Sequence, residues 1–418
     1  MTSLSASSSP LSTSIAIRLV ETAFTRSGIQ FSPNDDVWEW TDGPFRVYLD
    51  FRKITLSDSI PISSLKQTLL VFAKRNSASH LGNLFTAFIH FLAKRAGTTP
   101  LLTISATEVS NYSALLKSNE KWRVSTLNVL LQKWVALRLP GVEPDCTDYL
   151  RELRKEGNPK GEAVRTRNPI KGPFSEAEYT SLYKAVDTAY GTGDIAQWVA
   201  VLTRLLFACG GRISQYASLK VMDFMVKQEG FALNLPQAKT REVHSRSSFK
   251  EFDLSPQTGR LLEDYVQDLE LLGYDKGGAL FPEEVVLEEV PKSPRRKESD
   301  LFFGHYDSAG LSKKFSNILA TIAPPSERLD FEAMPITTQR FRYTFGTRLA
   351  EEGASKTVIA DRLGHTDLQN VGVYFEASPK IVENIDKAMS VPLAPLLVRV
   401  NYLGRSASII LAGEASCC

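Results

Sequence analysis

Apolar and polar positions alternate over residues 45–51. Phe45, Val47, Leu49 and Phe51 would face one side, and Arg46, Tyr48 and Asp50 the other, which predicts a strand. From about residue 63 to 139 the period lengthens. Leu81, Leu84, Phe85, Phe88 and Leu92 recur at helical spacing, with Gly97 after Lys94 and Arg95 as a stop signal. Ser105 and Glu108 form a capping box ahead of Val109, Tyr112 and Leu116. Leu127, Leu130, Leu131, Trp134 and Leu137 mark a further helix that must end near Pro140. A small helical domain is expected over 61–150, preceded by a segment, 1–60, of unassigned role. Helical patterns resume after Phe174. Phe231, Leu233 and Leu235 alternate before Pro236, and a second extended piece runs from Phe249 to Leu254, so a hairpin or small sheet is expected around Lys239. A loop insertion is expected over 283–300, then three helices to about Met389. The fold class is mainly α with a small β-sheet, α+β.

A length of 418 residues suits two or three domains. With 43% hydrophobic and 23% charged residues, the chain is neither disordered, collagenous nor a disulfide scaffold. No uncharged apolar run is long enough to span a bilayer, and the longest, Trp198 to Cys209, is interrupted by Arg204. The cysteines, Cys146, Cys209, Cys417 and Cys418, are too few and too badly spaced for a zinc site or a disulfide framework, so a reducing, cytoplasmic setting is expected. The serine-rich start lacks the cationic and apolar regions of a secretory signal.

A net charge of +2 implies no partner, so its distribution must decide. Residues 151–173 are the basic run. Arg151, Arg154, Lys155, Lys160, Arg165, Arg167 and Lys171 stand against three glutamates, among repeated Gly and Pro. This reads as a linker between domains whose cations can follow a phosphate backbone.

Four stretches of the second half gather chemistry. In Cys209-Gly-Gly-Arg212-Ile-Ser-Gln215, two glycines end one helix and Arg212 opens the next, where free N–H groups and a guanidinium fork both favour phosphate. Lys239 and Arg241 lie in the expected hairpin. In Thr337-Thr-Gln339-Arg-Phe-Arg342, Gln339 and Arg342 are three apart and share a helix face, while Phe341 and Phe345 share the buried one. In Leu363-Gly-His365-Thr-Asp-Leu-Gln369, Gly364 ends a helix, and Thr366 with Gln369 caps the next, which carries Tyr374 near its end. Two arginines, a lysine, a histidine and a tyrosine suit attack on a phosphodiester by a tyrosine oxygen. The cations would hold the charge on the non-bridging oxygens. No P-loop, HExxH, paired CxxC or GxSxG motif competes.

On these residues the chain resembles the tyrosine recombinase (phage integrase) family over about 63–390. Arg212 with Leu219 and Asp223 resembles the first arginine box, Arg342 the second arginine, His365 the following histidine, Lys239 the hairpin lysine and Tyr374 the nucleophile. The resemblance implies a SAM-like helical core-binding domain (61–150), the basic linker (151–173), a catalytic domain (174–390) and a tail (391–418). It implies that the two domains clamp double-stranded DNA and that strands are cut and rejoined through a 3′-phosphotyrosine. Metal, cofactor and ATP are not needed, four protomers assemble on DNA, and there is no small-molecule substrate or membrane role. The apolar pieces Pro392–Val400 and Ile409–Ala412 of the tail could dock on a neighbouring protomer or within their own chain. The task implied is that of a mobile element: integration, excision, transposition or resolution.

Two positions depart from the family pattern. Gln339 stands where histidine or lysine is usual, and Gln215 where an acid is usual. Both departures also suit a catalytically weakened DNA-binding regulator on the same scaffold. A type IB topoisomerase would share the chemistry but act alone.

Overall fold

The computed structural model describes residues 19–54, 60–95, 101–152, 161–238, 246–288, 301–365 and 369–375. The chain divides into two compact units, Met1–Asn158 and Pro159–Cys418.

In the first unit, the short pair β1 (Ala23–Phe24) and β2 (Gln30–Phe31) leads into the hairpin β3 (Val37–Asp42) and β4 (Phe45–Asp50). Asp42 pairs Phe45, so only Gly43 and Pro44 turn the chain. Gly43 at φ 59° supplies the positive dihedral that a type II′ turn needs at its first central position. The alternation expected for 45–51 is present, with Val47 and Leu49 inward beside Trp38 and Trp40. Asp50 is the exception. It turns inward because its carboxylate caps the short turn Phe51–Lys53, accepting from the Arg52 N–H at 3.2 Å. Five helices follow: α1 (Ile62–Arg75), α2 (Ala78–Lys94), α3 (Ala106–Leu115), α4 (Trp122–Ala136) and α5 (Pro144–Glu152). Ser77 and Ser105 cap α2 and α3. Leu127, Leu130, Leu131 and Trp134 make the inner stripe of α4, each fully buried.

Residues 23–54 are not a segment apart from the helices. Trp38, Val47, Leu49 and Phe51 enter one core with Leu65, Leu84, Phe88 and Leu131. Phe51 meets Phe85 edge-on at 5.2 Å. The Lys66 ammonium of α1 donates to the carbonyls of Asn34 and Asp35, at 3.0 and 2.8 Å. Short helices leave apolar surface that the hairpin covers, and a buried lysine needs carbonyl acceptors.

The second unit begins with α6 (Glu162–Arg165), α7 (Glu176–Thr192) and the apolar α8 (Gln197–Cys209), then the single turn α9 (Ile213–Tyr216). A three-stranded antiparallel sheet runs in the order β5 (Phe224–Lys227), β6 (Gly230–Pro236), β7 (Phe249–Leu254). The helices α10 (Pro256–Leu271), α11 (Glu283–Leu287) and α12 (Ser308–Ile322) follow, then the small pair β8 (Pro325–Ser326) and β9 (Glu332–Ala333). The chain continues into α13 (Thr338–Glu351), α14 (Lys356–Leu363) and α15 (Gln369–Gly372). The main core centres on α8, and a smaller one joins Val164, Ala350, Ile359, Leu363, Val371 and Tyr374. The described residues are mainly helical with small antiparallel sheets, an α+β fold.

The expected basic linker is folded in its described part. Val164 is buried in the smaller core, and Arg167 pairs with Glu351. The Arg167, Gly172 and Pro173 carbonyls accept from Arg328 and Arg340. Glycine and proline here shape turns around α13 rather than loosen the chain. Arg154, Lys155 and Lys160 lie outside the described residues, as do the tail and all but a short helix of the expected insertion.

Candidate active site

Helix α13 presents Arg342. Thr337 caps its start, accepting from the Arg340 N–H at 3.4 Å. Phe341 is fully buried, packing with Phe174 and Phe207 at ring separations of 5.1 and 4.5 Å. That orientation sends Gln339, Arg342 and Tyr343 toward a cleft of about 580 Å³. Arg212, Gly364, His365, Val373 and Tyr374 also line this cleft, so Arg212, Gln339, Arg342, His365 and Tyr374 are brought together.

Arg342 is held on two carbonyls. Its guanidinium donates to Gly210 O at 2.9 Å and to Leu363 O at 2.6 Å. It also lies 2.9 Å from His365 Nε2. A guanidinium can only donate, so Nε2 accepts in this arrangement. Burial first, then the charge of Arg212, brings the Arg342 pKa down to about 10, against the pull of nearby tyrosines. Arg212 is likewise lowered, by burial. Two partly desolvated cations facing one cleft favour an anion between them.

Arg212 follows Gly210 and Gly211. Gly210 closes α8 at φ 58°, and a Cβ there would lie 2.3 Å from the Phe345 ring. The fully buried Tyr216 phenol fastens the turn, accepting from the Gly211 N–H and donating to Leu205 O, both at 3.0 Å. The open N–H groups expected at Arg212 are not all open. Gln215 Oε1 takes the Arg212 N–H at 2.8 Å, and its amide nitrogen donates to Pro236 O at 2.6 Å. Gln215 therefore ties the arginine turn to the end of β6. A carboxylate could make only the first of these bonds.

Tyr374 follows α15 in a turn rather than riding on its end. Its ring packs over Gly346, where a Cβ would sit 2.6 Å from Tyr374 Cε1. Burial pushes the phenol up to about 12, and the Arg342 and Arg212 charges oppose that rise. The two guanidiniums are thus close enough to act on the phenol. Gln339 donates to Tyr343 Oη. Lys239 and Arg241 lie outside the described residues, and just past β6 Gln237 N bonds Ser248 O at 2.8 Å. Of the basic run, Arg151 pairs with Asp148 on its own helix, Arg165 and Lys171 are exposed, and Arg167 is committed to Glu351.

Sequence reasoning passed over the support beneath α13. Arg340 is fully buried and donates to Gly172 O, Pro335 O and Glu178 Oε2, at 3.0, 2.6 and 3.0 Å. Glu178 also takes Arg328 and the Ser326 hydroxyl. Apart from the bond to Pro335 O, these contacts span more than 140 positions, so no local pattern announces them. Tyr343 and Gly346 were legible only as a tyrosine four after Gln339 and a glycine inside a helix.

Among the described residues, no helix is long and apolar enough to cross a membrane. Residues 174–380 match the model of the phage integrase family. Tyrosine recombinase XerD of Listeria innocua serovar 6a is 24% identical over 188 residues, 44% of this chain and 52% of that protein. XerD of Lacticaseibacillus casei is 22% identical over 238 residues, 55% of this chain and 69% of that protein. The chain spans about half the length of the first of these relatives. Among solved structures, a lambda integrase tetramer bound to a Holliday junction aligns with TM-score 0.49 and 16% identity, covering 76% of this chain and 78% of that one. A lambda integrase dimer bound to a COC′ core site aligns with TM-score 0.48 and 16% identity, covering 85% and 94%. Residues 174–380 are thus a domain of the phage integrase (tyrosine recombinase) family.

Proposed function

We propose that this protein is a site-specific DNA recombinase that cuts and rejoins duplex DNA through Tyr374. The Tyr374 oxygen attacks a scissile phosphorus as its phenolic proton passes to solvent water, the bond to the 5′ oxygen breaks, and a 3′-phosphotyrosine and a 5′ hydroxyl result. Arg212, Arg342 and His365 hold the non-bridging oxygens as negative charge builds. Lys239 supplies the proton to the departing 5′ oxygen. A 5′ hydroxyl of a second duplex then reverses the step. One phosphodiester replaces another, so ATP is not needed. Reciprocal exchange between two duplexes cuts four strands. With one nucleophile per chain, that calls for four protomers on DNA. The exposed Arg165 and Lys171 suit contacts to the phosphate backbone, which carry affinity rather than sequence choice.

The observation that carries this reading is the single cleft shared by Arg212, Arg342, His365 and Tyr374. The test is covalent capture. Random-sequence duplexes nicked at staggered positions are incubated with the full chain, and adducts that survive denaturant are recovered and sequenced. The expected result is an adduct whose phosphate maps to Tyr374 and whose DNA defines the site. Tyr374→Phe should bind that DNA without trapping it. Trapping that persists in this variant would sink the assignment.

A further inference from the structure

The usual histidine or lysine is replaced here by Gln339, and the structure shows where its amide goes. Its nitrogen donates to the Tyr343 hydroxyl one helical turn on, rather than standing alone in the cleft. A phenol oxygen that accepts from an amide must aim its own proton elsewhere. Tyr343 lines the same cleft as Arg212, Arg342 and Tyr374, and its phenol is half-buried while that of Tyr374 is buried. It is also near enough to register on both Arg342 and Tyr374, where its effect on Tyr374 opposes ionisation. A second phenol lining the cleft can turn its hydroxyl hydrogen toward an anion bound there.

We infer that Tyr343 is a further catalytic residue, whose O–H donates a hydrogen bond to a non-bridging oxygen of the scissile phosphate, with Gln339 as the positioning residue that orients it. The inference rests on the function proposed above. No proton is transferred: the hydroxyl shares its hydrogen with the oxygen that gains charge as the Tyr374 oxygen bonds to phosphorus. The pair would thus deliver a donor at the position where the family usually places a cationic or imidazole side chain.

The probe is the nicked duplex recovered by covalent capture, with the full chain. Tyr343→Phe keeps the ring and removes only the hydroxyl. A donor aimed at developing charge is worth up to roughly two to three powers of ten in rate. The expected result is adduct formation slowed at least ~10-fold, with unchanged affinity for the duplex and unchanged melting temperature. Gln339→Ala should show a smaller loss of the same kind. A second substrate separates contact from mere support. It is the same duplex with one non-bridging oxygen at the scissile phosphate replaced by methyl, as separated diastereomers. In the diastereomer lacking the contacted oxygen, wild type and Tyr343→Phe should react at equal rates, whereas the other should keep their ratio. Equal rates on the ordinary duplex, or a ratio that survives in both diastereomers, would overturn the inference. Adduct mapped to Tyr343 itself would overturn it too, together with the nucleophile assignment. Loss of trapping in Tyr374→Phe alone, with Tyr343→Phe at full rate, would leave the recombinase reading intact and remove only this one.

Discussion

At Gly346 the inside of a helix is left without a side chain, and the Tyr374 ring occupies the space. Alanine in a helix interior is favoured over glycine by about 1 kcal/mol. Here, though, its methyl would meet Cε1 at 2.6 Å. Overpacking a buried ring costs about 1–3 kcal/mol, which offsets the helix gain, so Gly346→Ala should leave the melting temperature level or lower it modestly while abolishing most adduct formation, because the phenol is displaced from the cleft. Thermal melting and covalent capture on one sample separate the two effects. Gln215 makes a second residue-scale case. Gln215→Glu keeps an acceptor for the Arg212 N–H and loses the donor to Pro236 O. Leaving that carbonyl facing a carboxylate costs about 1–3 kcal/mol. The expected outcome is slower cleavage with retained DNA affinity, read by single-turnover capture. An acid usual in the family would thus be unsuited to this chain, because Pro236 offers only a carbonyl.

Helix α13 carries Gln339, Arg342 and Tyr343 of the site, and its seat is made by elements distant in sequence. Arg340 and Arg328 converge on Glu178 of α7, and Phe174 N bonds Thr344 Oγ1 at 2.8 Å. Removing one member of a buried ion pair typically costs about 3–5 kcal/mol, since the partner charge stays buried. Glu178→Ala should lower the unfolding free energy of the second unit by that order, measured by urea denaturation, and should weaken catalysis only as far as α13 shifts. The elements themselves were largely legible. Helical periodicity located α2, α4 and α13, and alternation located β4, β6 and β7, because local geometry dictates which side chains share a face. The partner strand β3 was missed. Its alternation, Trp38, Trp40 against Glu39, Thr41, is short, and pairing with β4 is what gives it meaning. The folded course of 161–173 was missed for a like reason. A basic Gly/Pro run reads as a linker until buried arginines elsewhere are seen to need its carbonyls.

At the scale of the molecule, each unit has its own core. One is built from residues between Ala23 and Leu150, the others from Val164 onward. Calorimetry should accordingly resolve two transitions, and Glu178→Ala should move only one of them. The acid limb of stability follows from the same carboxylate. Burial alone would raise the Glu178 pKa, but hydrogen bonds from Arg328, Ser326 and the Ser175 N–H more than offset it and hold it below the ordinary value of 4.5. A carboxyl depressed in the folded state stabilises above its unfolded pKa, and that contribution is lost as pH falls through the folded value. The second unit should lose stability as pH drops below 4.5, and Glu178→Gln should flatten that part of the profile. The sequence by itself determined the helix and strand periodicities and the family signature formed by Arg212, Arg342, His365 and Tyr374, because residue type and near-neighbour spacing are local properties. Only the tertiary structure decided that Gln339 bonds Tyr343, that Gln215 bridges to Pro236, that Gly346 seats the Tyr374 ring and that Glu178 anchors α13. Those are contacts between side chains and backbone whose partners are chosen by packing, not by their distance along the chain.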